Sequence, residues 1–158
     1  MAIYMKFGSI DGDVQTDGYK NWIELHSFQY GLSRGITSGS GGKAREGSVP
    51  SISEIVVTKN NDASSGKLYH NAVAGVFDTK VEIKMTTTTK NKVETYLTYE
   101  LKDCGISSYS LSTGGDRPVE SLSLNFTYIT VKPTQPDKSG QIKTGDITGY
   151  DLLAMKAT

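Results

Sequence analysis

The sequence predicts an all-β domain: an antiparallel barrel or sandwich of two sheets with one short flanking helix and a long extended loop. Three observations carry this. Apolar and polar residues alternate in stretch after stretch, turn-forming Gly, Asp, Asn and Pro separate the stretches, and one window alone changes to helical spacing. The 158 residues suit a single domain, 1–158, with a substantial core.

Ile3, Met5 and Phe7 alternate with Tyr4 and Lys6, which predicts a half-buried opening strand. The Asp- and Gly-rich run Gly8 to Gly18 reads as turns. A calcium loop counted from Asp11 would need Gly and Glu where Thr16 and Trp22 stand. Tyr19 to Tyr30 reads as one long strand, with Trp22, Glu24, His26, Phe28 and Tyr30 on one side and Ile23 and Leu25 on the other. His26, among aromatics, is expected to be a hydrogen-bonded structural histidine.

Residues 31–50 form a Gly- and Ser-rich connection with few apolar anchors, expected to lack structure of its own. Ser51 to Asn60 is strand-like through Ile55, Val56, Val57 and Thr58. The period then changes: Leu68, Tyr69, Ala72, Val73 and Val76 follow helical spacing. Asp62, Ser64 and Ser65 offer cap oxygens and Gly75 stands at C′, so the helix is placed at about 64–74. Its apolar stripe should lie on the sheet.

Val81, Ile83 and Met85 are expected inward, with Lys80, Glu82, Lys84, Thr86 and Thr88 outward. Lys90, Asn91 and Lys92 turn the chain into a partner strand carrying Val93, Leu97, Tyr99 and Leu101. Lys80 to Lys84 would then oppose Glu94 to Glu100 across the hairpin. Gly105 allows a bend before a Ser-rich strand, Ile106 to Thr113. Ser121 to Lys132 alternates as one strand, with Leu122, Leu124, Phe126 and Tyr128 inward and Ser121, Ser123, Asn125 and Thr127 outward. Ile142 to Leu153 adds a last strand.

Lys plus Arg and Asp plus Glu both number 17, so the formal net charge is zero. That argues against a nucleic-acid partner, which needs a basic excess, and permits self-association. The single Cys104 excludes an internal disulfide framework and reads as a small buried apolar residue. No secretory leader and no membrane-spanning stretch is evident, so neither cleaved export nor membrane insertion is expected.

Chemistry finds little support. Gly42-Lys43-Ala44 lacks the hydroxyl residue that a phosphate loop places after its lysine, and Thr37 stands where its first glycine should. His26, His70 and Cys104 are too scattered for zinc. No nucleophile elbow is present, so no catalytic, metal or cofactor residue is assigned. A subunit that assembles fits these features. So does a monomeric carbohydrate-binding β-sandwich in which Trp22, Tyr96 or Tyr109 would stack on sugar.

A resemblance favours the first. Trp22-Ile23-Glu24-Leu25 and Ser27-Phe28-Gln29-Tyr30-Gly31 precede the Gly-rich loop. Thr58-Lys59 and Asp62 through Ser65 lead into the helix of Leu68, Ala72 and Gly75. Tyr96-Leu97, Tyr109-Ser110, Ser112-Thr113-Gly114-Gly115 and Leu122-Ser123-Leu124-Asn125-Phe126 follow. In order and spacing, over essentially the whole chain, this resembles the haemolysin-coregulated protein (Hcp) family of type VI secretion systems.

The resemblance implies a non-enzymatic tube subunit that closes into hexameric rings, stacks, and is secreted when the machine fires. Implied partners are its own copies, the sheath, baseplate and spike proteins, and small effectors carried in the lumen. It also implies that the long loop reaches a neighbouring subunit or ring. Arg34, Ser38, Gly39, Gly41, Gly42, Lys43, Arg45 and Glu46 are the expected contacts. Lys80, Glu82, Lys84 and Thr86, or Ser121, Ser123, Asn125 and Thr127, are candidates for the lumen or wall face.

Deleting Ser38 to Ser48 is expected to leave the monomer folded while impairing ring stacking or secretion, because closure entropy changes slowly with loop length. Circular dichroism melts and sedimentation check this, and an unfolded deletion variant would instead place the loop in the core.

Overall fold

The computed structural model describes residues 1–37, 47, 49–136 and 142–158. In chain order the first strands are β1 (Ala2–Phe7), β2 (Ile23–Leu25), β3 (Ser27–Gln29), β4 (Leu32–Ser33), β5 (Ser51–Ile52) and β6 (Ile55–Asn60). Helix α1 (Ser65–Ala74) is followed by β7 (Thr79–Thr89), β8 (Lys92–Ser112) and β9 (Val119–Asn125). The chain ends with β10 (Tyr128–Pro136), β11 (Ile142–Thr144), β12 (Thr148–Asp151) and β13 (Lys156–Ala157).

The all-β fold with one short helix is as expected, and every strand pair described is antiparallel. One sheet runs β13-β12-β10-β8-β7-β1-β2, and the other pairs β3, β6, β9 and the second half of β8. The 21-residue β8 therefore belongs to both. The two sheets are linked a second time where β2 passes into β3 across His26, whose amide donates to Thr58 O at 2.7 Å. Their inner faces enclose one core, including Met5, Phe7, Ile23, Leu25, Ile55, Val57, Ile83, Leu101, Leu122 and Leu124. Each such side chain contributes about 1.5–3 kcal/mol by burial.

Several local expectations are corrected. The stretch Tyr19 to Tyr30 is not one strand: its bend at His26 reverses the alternation, so Phe28 packs on the same core as Leu25. His26 is exposed. Ser121 to Lys132 also breaks, at Phe126 and Thr127, as the chain moves from one sheet to the other. The inward residue after Phe126 is consequently Ile129, while the Tyr128 hydroxyl meets Thr158 Oγ1 at 2.8 Å. Gly105 does not interrupt β8. It admits Phe77, whose Cδ1 would lie 2.1 Å from a Cβ at that position.

Lys90 and Asn91 both have positive φ (49° and 62°), the pattern of a two-residue type I′ hairpin turn. The register that follows sets Glu82 opposite Glu100 and Lys84 opposite Thr98, so the expected cross-strand charge pairs do not form. Lys80 and Lys84, 3.6 and 3.9 Å away along the strand, flank Glu82 instead.

A run of turns, residues 8–22, folds over the outer face of the first sheet. Tyr4 stacks on Tyr19 at 4.7 Å and Trp22 meets Tyr19 edge-on at 5.3 Å, so β1 is covered on both faces near Tyr4. The Tyr19 hydroxyl bonds Thr95, the cross-strand partner of Thr86. Thr86 is accordingly buried, donating to Ala2 O at 3.0 Å, and does not belong to an exposed strand face.

The helix begins where expected, and its anchor is a buried ion pair. Lys59 on β6 and Glu120 on β9 are direct cross-strand partners and both are 0% exposed. Lys59 Nζ donates to Glu120 Oε2 at 2.7 Å, Asn60 O at 2.8 Å and Asp62 Oδ1 at 2.9 Å, using its three protons, and Ser65 Oγ lies 3.2 Å away as a weaker fourth contact. Glu120 also accepts from Ser65 Oγ at 2.8 Å and from the Tyr109 hydroxyl. The Ser64 amide donates to Asp62 Oδ1 at 2.9 Å, fixing the first helical turn, and Gly75 in left-handed conformation ends the helix.

Burial alone would raise the Glu120 carboxyl. Hydrogen bonds from Lys59, Tyr109 and Ser65, with the Lys59 charge, outweigh it and hold the group below the ordinary range. Its stabilisation is therefore complete above the unfolded pKa, about 4.3, and is lost as pH falls through the lower folded value. Glu120→Ala, which strands a buried ammonium, is expected to cost about 3–5 kcal/mol. Lys59→Met with Glu120→Leu should cost less than Glu120→Ala alone, and should remove part of the acid sensitivity. Urea titrations at neutral and acid pH measure both.

Candidate assembly surface

The connection 31–50 is rooted in structure rather than bare. β4 and β5 pair as a two-stranded ribbon, Leu32 with Ile52 and Ser33 with Ser51, and Ile36 bridges Gly47 beyond it. The root is closed by Ser53 N to Gly31 O at 2.9 Å and Gly31 N to Ser53 Oγ at 3.0 Å. Arg34 is exposed on this ribbon, and its guanidinium runs beside Gly47, where a Cβ would fall 2.8 Å from Nε. The other expected loop contacts, Ser38, Gly39, Gly41, Gly42, Lys43, Arg45 and Glu46, lie outside the described residues.

The two candidate polar faces sit on different sheets. Lys80, Glu82 and Lys84 project from the outer face of the first, with the Lys84 ammonium 5.2 Å from the Trp22 ring centroid. Ser121, Ser123 and Asn125 project from the outer face of the second, where Ser108 Oγ donates to Ser123 Oγ at 2.8 Å. Thr127 belongs to neither. It lies in the break before β10 and donates to Asp103 Oδ2 at 2.9 Å. Inward-facing hydrophobic residues fix both faces, because side chains alternate along a strand.

Apolar side chains also reach the surface. On α1 only Leu68 of the expected stripe is fully buried, and Ala72 is half-buried; Tyr69 and Val73 are exposed, as is Phe77 beyond the cap. The ring of Tyr69 meets Tyr109 edge-on at 5.5 Å. A second apolar region is a groove of about 330 Å³ between the β4–β5 ribbon and β10–β12, lined by Tyr30, Leu32, Ile52, Val131 and Tyr150 among others. Tyr30 packs edge-on to Tyr99, and burial raises the hydroxyl pKa of both.

The aromatics weighed for sugar stacking are engaged within the chain: Trp22 by Tyr19 and Lys84, Tyr96 through its hydroxyl to Met1 Sδ at 2.9 Å, and Tyr109 to Glu120. Burial and then the Glu120 hydrogen bond push the Tyr109 hydroxyl up to about 12. No cluster of His, Cys, Asp and Glu among the described residues could hold a metal ion. No described helix is long and apolar enough to cross a membrane.

Sequence reasoning missed the Lys59–Glu120 pair. The signal was there in the alternation, since Lys59 is in phase with inward Ile55 and Val57, and Glu120 with inward Leu122 and Leu124. Cys104 is buried as expected, and burial raises its thiol to about 12. Native protein should therefore leave a thiol-specific chromogenic reagent unreacted at pH 8, with one equivalent released in denaturant. Rapid native labelling would contradict this burial.

Comparison with known proteins agrees with this architecture. A solved structure of a type six secretion system protein is 26% identical over 99% of each chain, with a TM-score of 0.89. Hcp1 from Salmonella typhimurium is 21% identical, covering 99% of this chain and 98% of its own, at a TM-score of 0.74. Hcp2 from the same organism is 22% identical over 99% of each chain, at 0.71. No curated protein sequence matches significantly. Residues 4–132 match the family model for the type VI secretion system effector Hcp, and the chain belongs to that family of self-assembling, non-enzymatic tube proteins.

Proposed function

We propose that this chain is the ring-forming subunit of a type VI inner tube: six copies close into a ring, rings stack, and the tube leaves the cell when the machine fires. Family membership over residues 4–132 is the observation that carries this reading. The polar faces are consistent with it. Lys80, Glu82 and Lys84 and the set Ser121, Ser123 and Asn125 lie on the outer faces of two different sheets. In a ring, one such face would meet the lumen and the other the wall. A lumen of this kind would hold small effector proteins, and the wall and ends would meet sheath, baseplate and spike.

The Gly-rich connection acts in this reading as an arm to a neighbouring subunit or ring. Its ribbon root, β4 paired with β5, sets where the connection leaves and returns. Sedimentation and negative-stain imaging at tens of micromolar test the proposal: ring particles of six-fold mass are expected. A strictly monomeric protein would defeat it.

A further inference from the structure

Among the described residues, two apolar features of opposite shape remain uncovered, on separate parts of the chain. The convex one is a ridge: Tyr69 and Val73, one turn apart on α1, and Phe77 beyond the Gly75 cap, exposed by 55%, 70% and 60%. One edge of the Phe77 ring is seated where Gly105 has no side chain. The concave feature is the groove of about 330 Å³ between the β4–β5 ribbon and β10–β12. Helix α1 packs mainly on β8 and contributes nothing to the groove lining, so the chain does not fill its own groove with its own ridge.

The rims differ in charge. Asp78 follows Phe77 at the end of the ridge, and Arg34 lines the groove. Both are exposed, and neither takes part in an ion pair among the described residues. A ridge does not complement itself, so these features do not suit a two-fold contact in which each patch meets its own copy. A ridge entering a groove can form twice about a two-fold axis, giving a closed dimer, or once per pair, head to tail. The head-to-tail form leaves one ridge and one groove free on every pair and closes into a ring when the rotation between copies permits, which is the form that the self-assembling tube family favours.

We infer that the groove receives the Tyr69–Val73–Phe77 ridge of a second copy of this chain, with Arg34 of one subunit beside Asp78 of the next. This rests on the self-assembly reading and adds to it which surfaces meet inside a ring. The contact places aromatic and aliphatic anchors in a pocket at the centre and one charge pair at the rim, the distribution that stable interfaces favour.

Val73→Cys in the ridge and Thr148→Cys in the groove, both at exposed positions, test it with a short bismaleimide. The doubly substituted chain is expected to give a covalent ladder. An equimolar mixture of the two single variants should stop at dimers, and each single variant alone should remain uncrosslinked on denaturing gels. Cys104, buried, supplies no background. Separately, Asp78→Arg should lower the assembled fraction with unchanged circular dichroism, and Arg34→Asp in the same chain should restore it.

Covalent dimers from one single variant alone would overturn the inference. So would assembled rings that do not crosslink in the double variant, or a charge swap without rescue, although the ring reading would stand. Protein that is monomeric at every concentration would overturn both.

Discussion

The buried Lys59–Glu120 pair is the constraint on which the rest of this structure turns. It sits where β6 and β9 pair in the middle of the second sheet, with no exposed surface on either residue. Such a pair is tolerable only when every remaining donor and acceptor is satisfied. Ser65, Asp62, Asn60 and Tyr109 meet that demand, and in meeting it they fix the first turn of α1 and the second half of β8. The helix therefore takes its position from polar chemistry at one end. Along its length it buries little beyond Leu68 and so keeps Tyr69 and Val73 at the surface.

A second constraint is the sharing of strands between sheets. β8 serves both, and the β2–β3 segment passes from one to the other across His26. Both crossings require the backbone to change which side chains point inward. Asp103, with φ of 50°, and the register shifts near Thr79 and Ile106 accommodate the change in β8. Phe126 and Thr127 do the same between β9 and β10. The outward faces of the two sheets are thus chemically distinct, one charged and one rich in hydroxyls, while drawing on a common core.

The fold class, the helix and the β7–β8 hairpin were legible in the sequence because each depends on local patterns: alternation, caps, and turn residues at Lys90 and Asn91. The breaks at His26 and Phe126 were not. Periodicity assumes that a strand keeps one neighbour on each side, and at both places the chain changes neighbours. Thr86 looked exposed by phase and is buried because turns distant in sequence fold over it, bringing Tyr19 to Thr95. Glu120 was in phase with the core, but its partner lies 61 residues earlier, and only strand pairing brings the two together. The candidate loop was visible as composition. Its ribbon root was not, since Leu32–Ser33 and Ser51–Ile52 are too short to carry a period.

That separation between Lys59 and Glu120 has a kinetic meaning. Beside local hairpins such as β7–β8 and β8–β9, several principal pairings join distant parts of the chain, as in β1 with β7 and β6 with β9. Topologies of this kind fold slowly, because closure entropy is lost before contacts repay it. In the folded chain β9 sets Glu120 against the buried Lys59, so a second sheet without β9 would leave that ammonium without its carboxylate. A half-formed second sheet that buried Lys59 without Glu120 would cost free energy relative to the finished subunit. In a member of a self-assembling family, that cost weighs against a subunit left with an open strand edge.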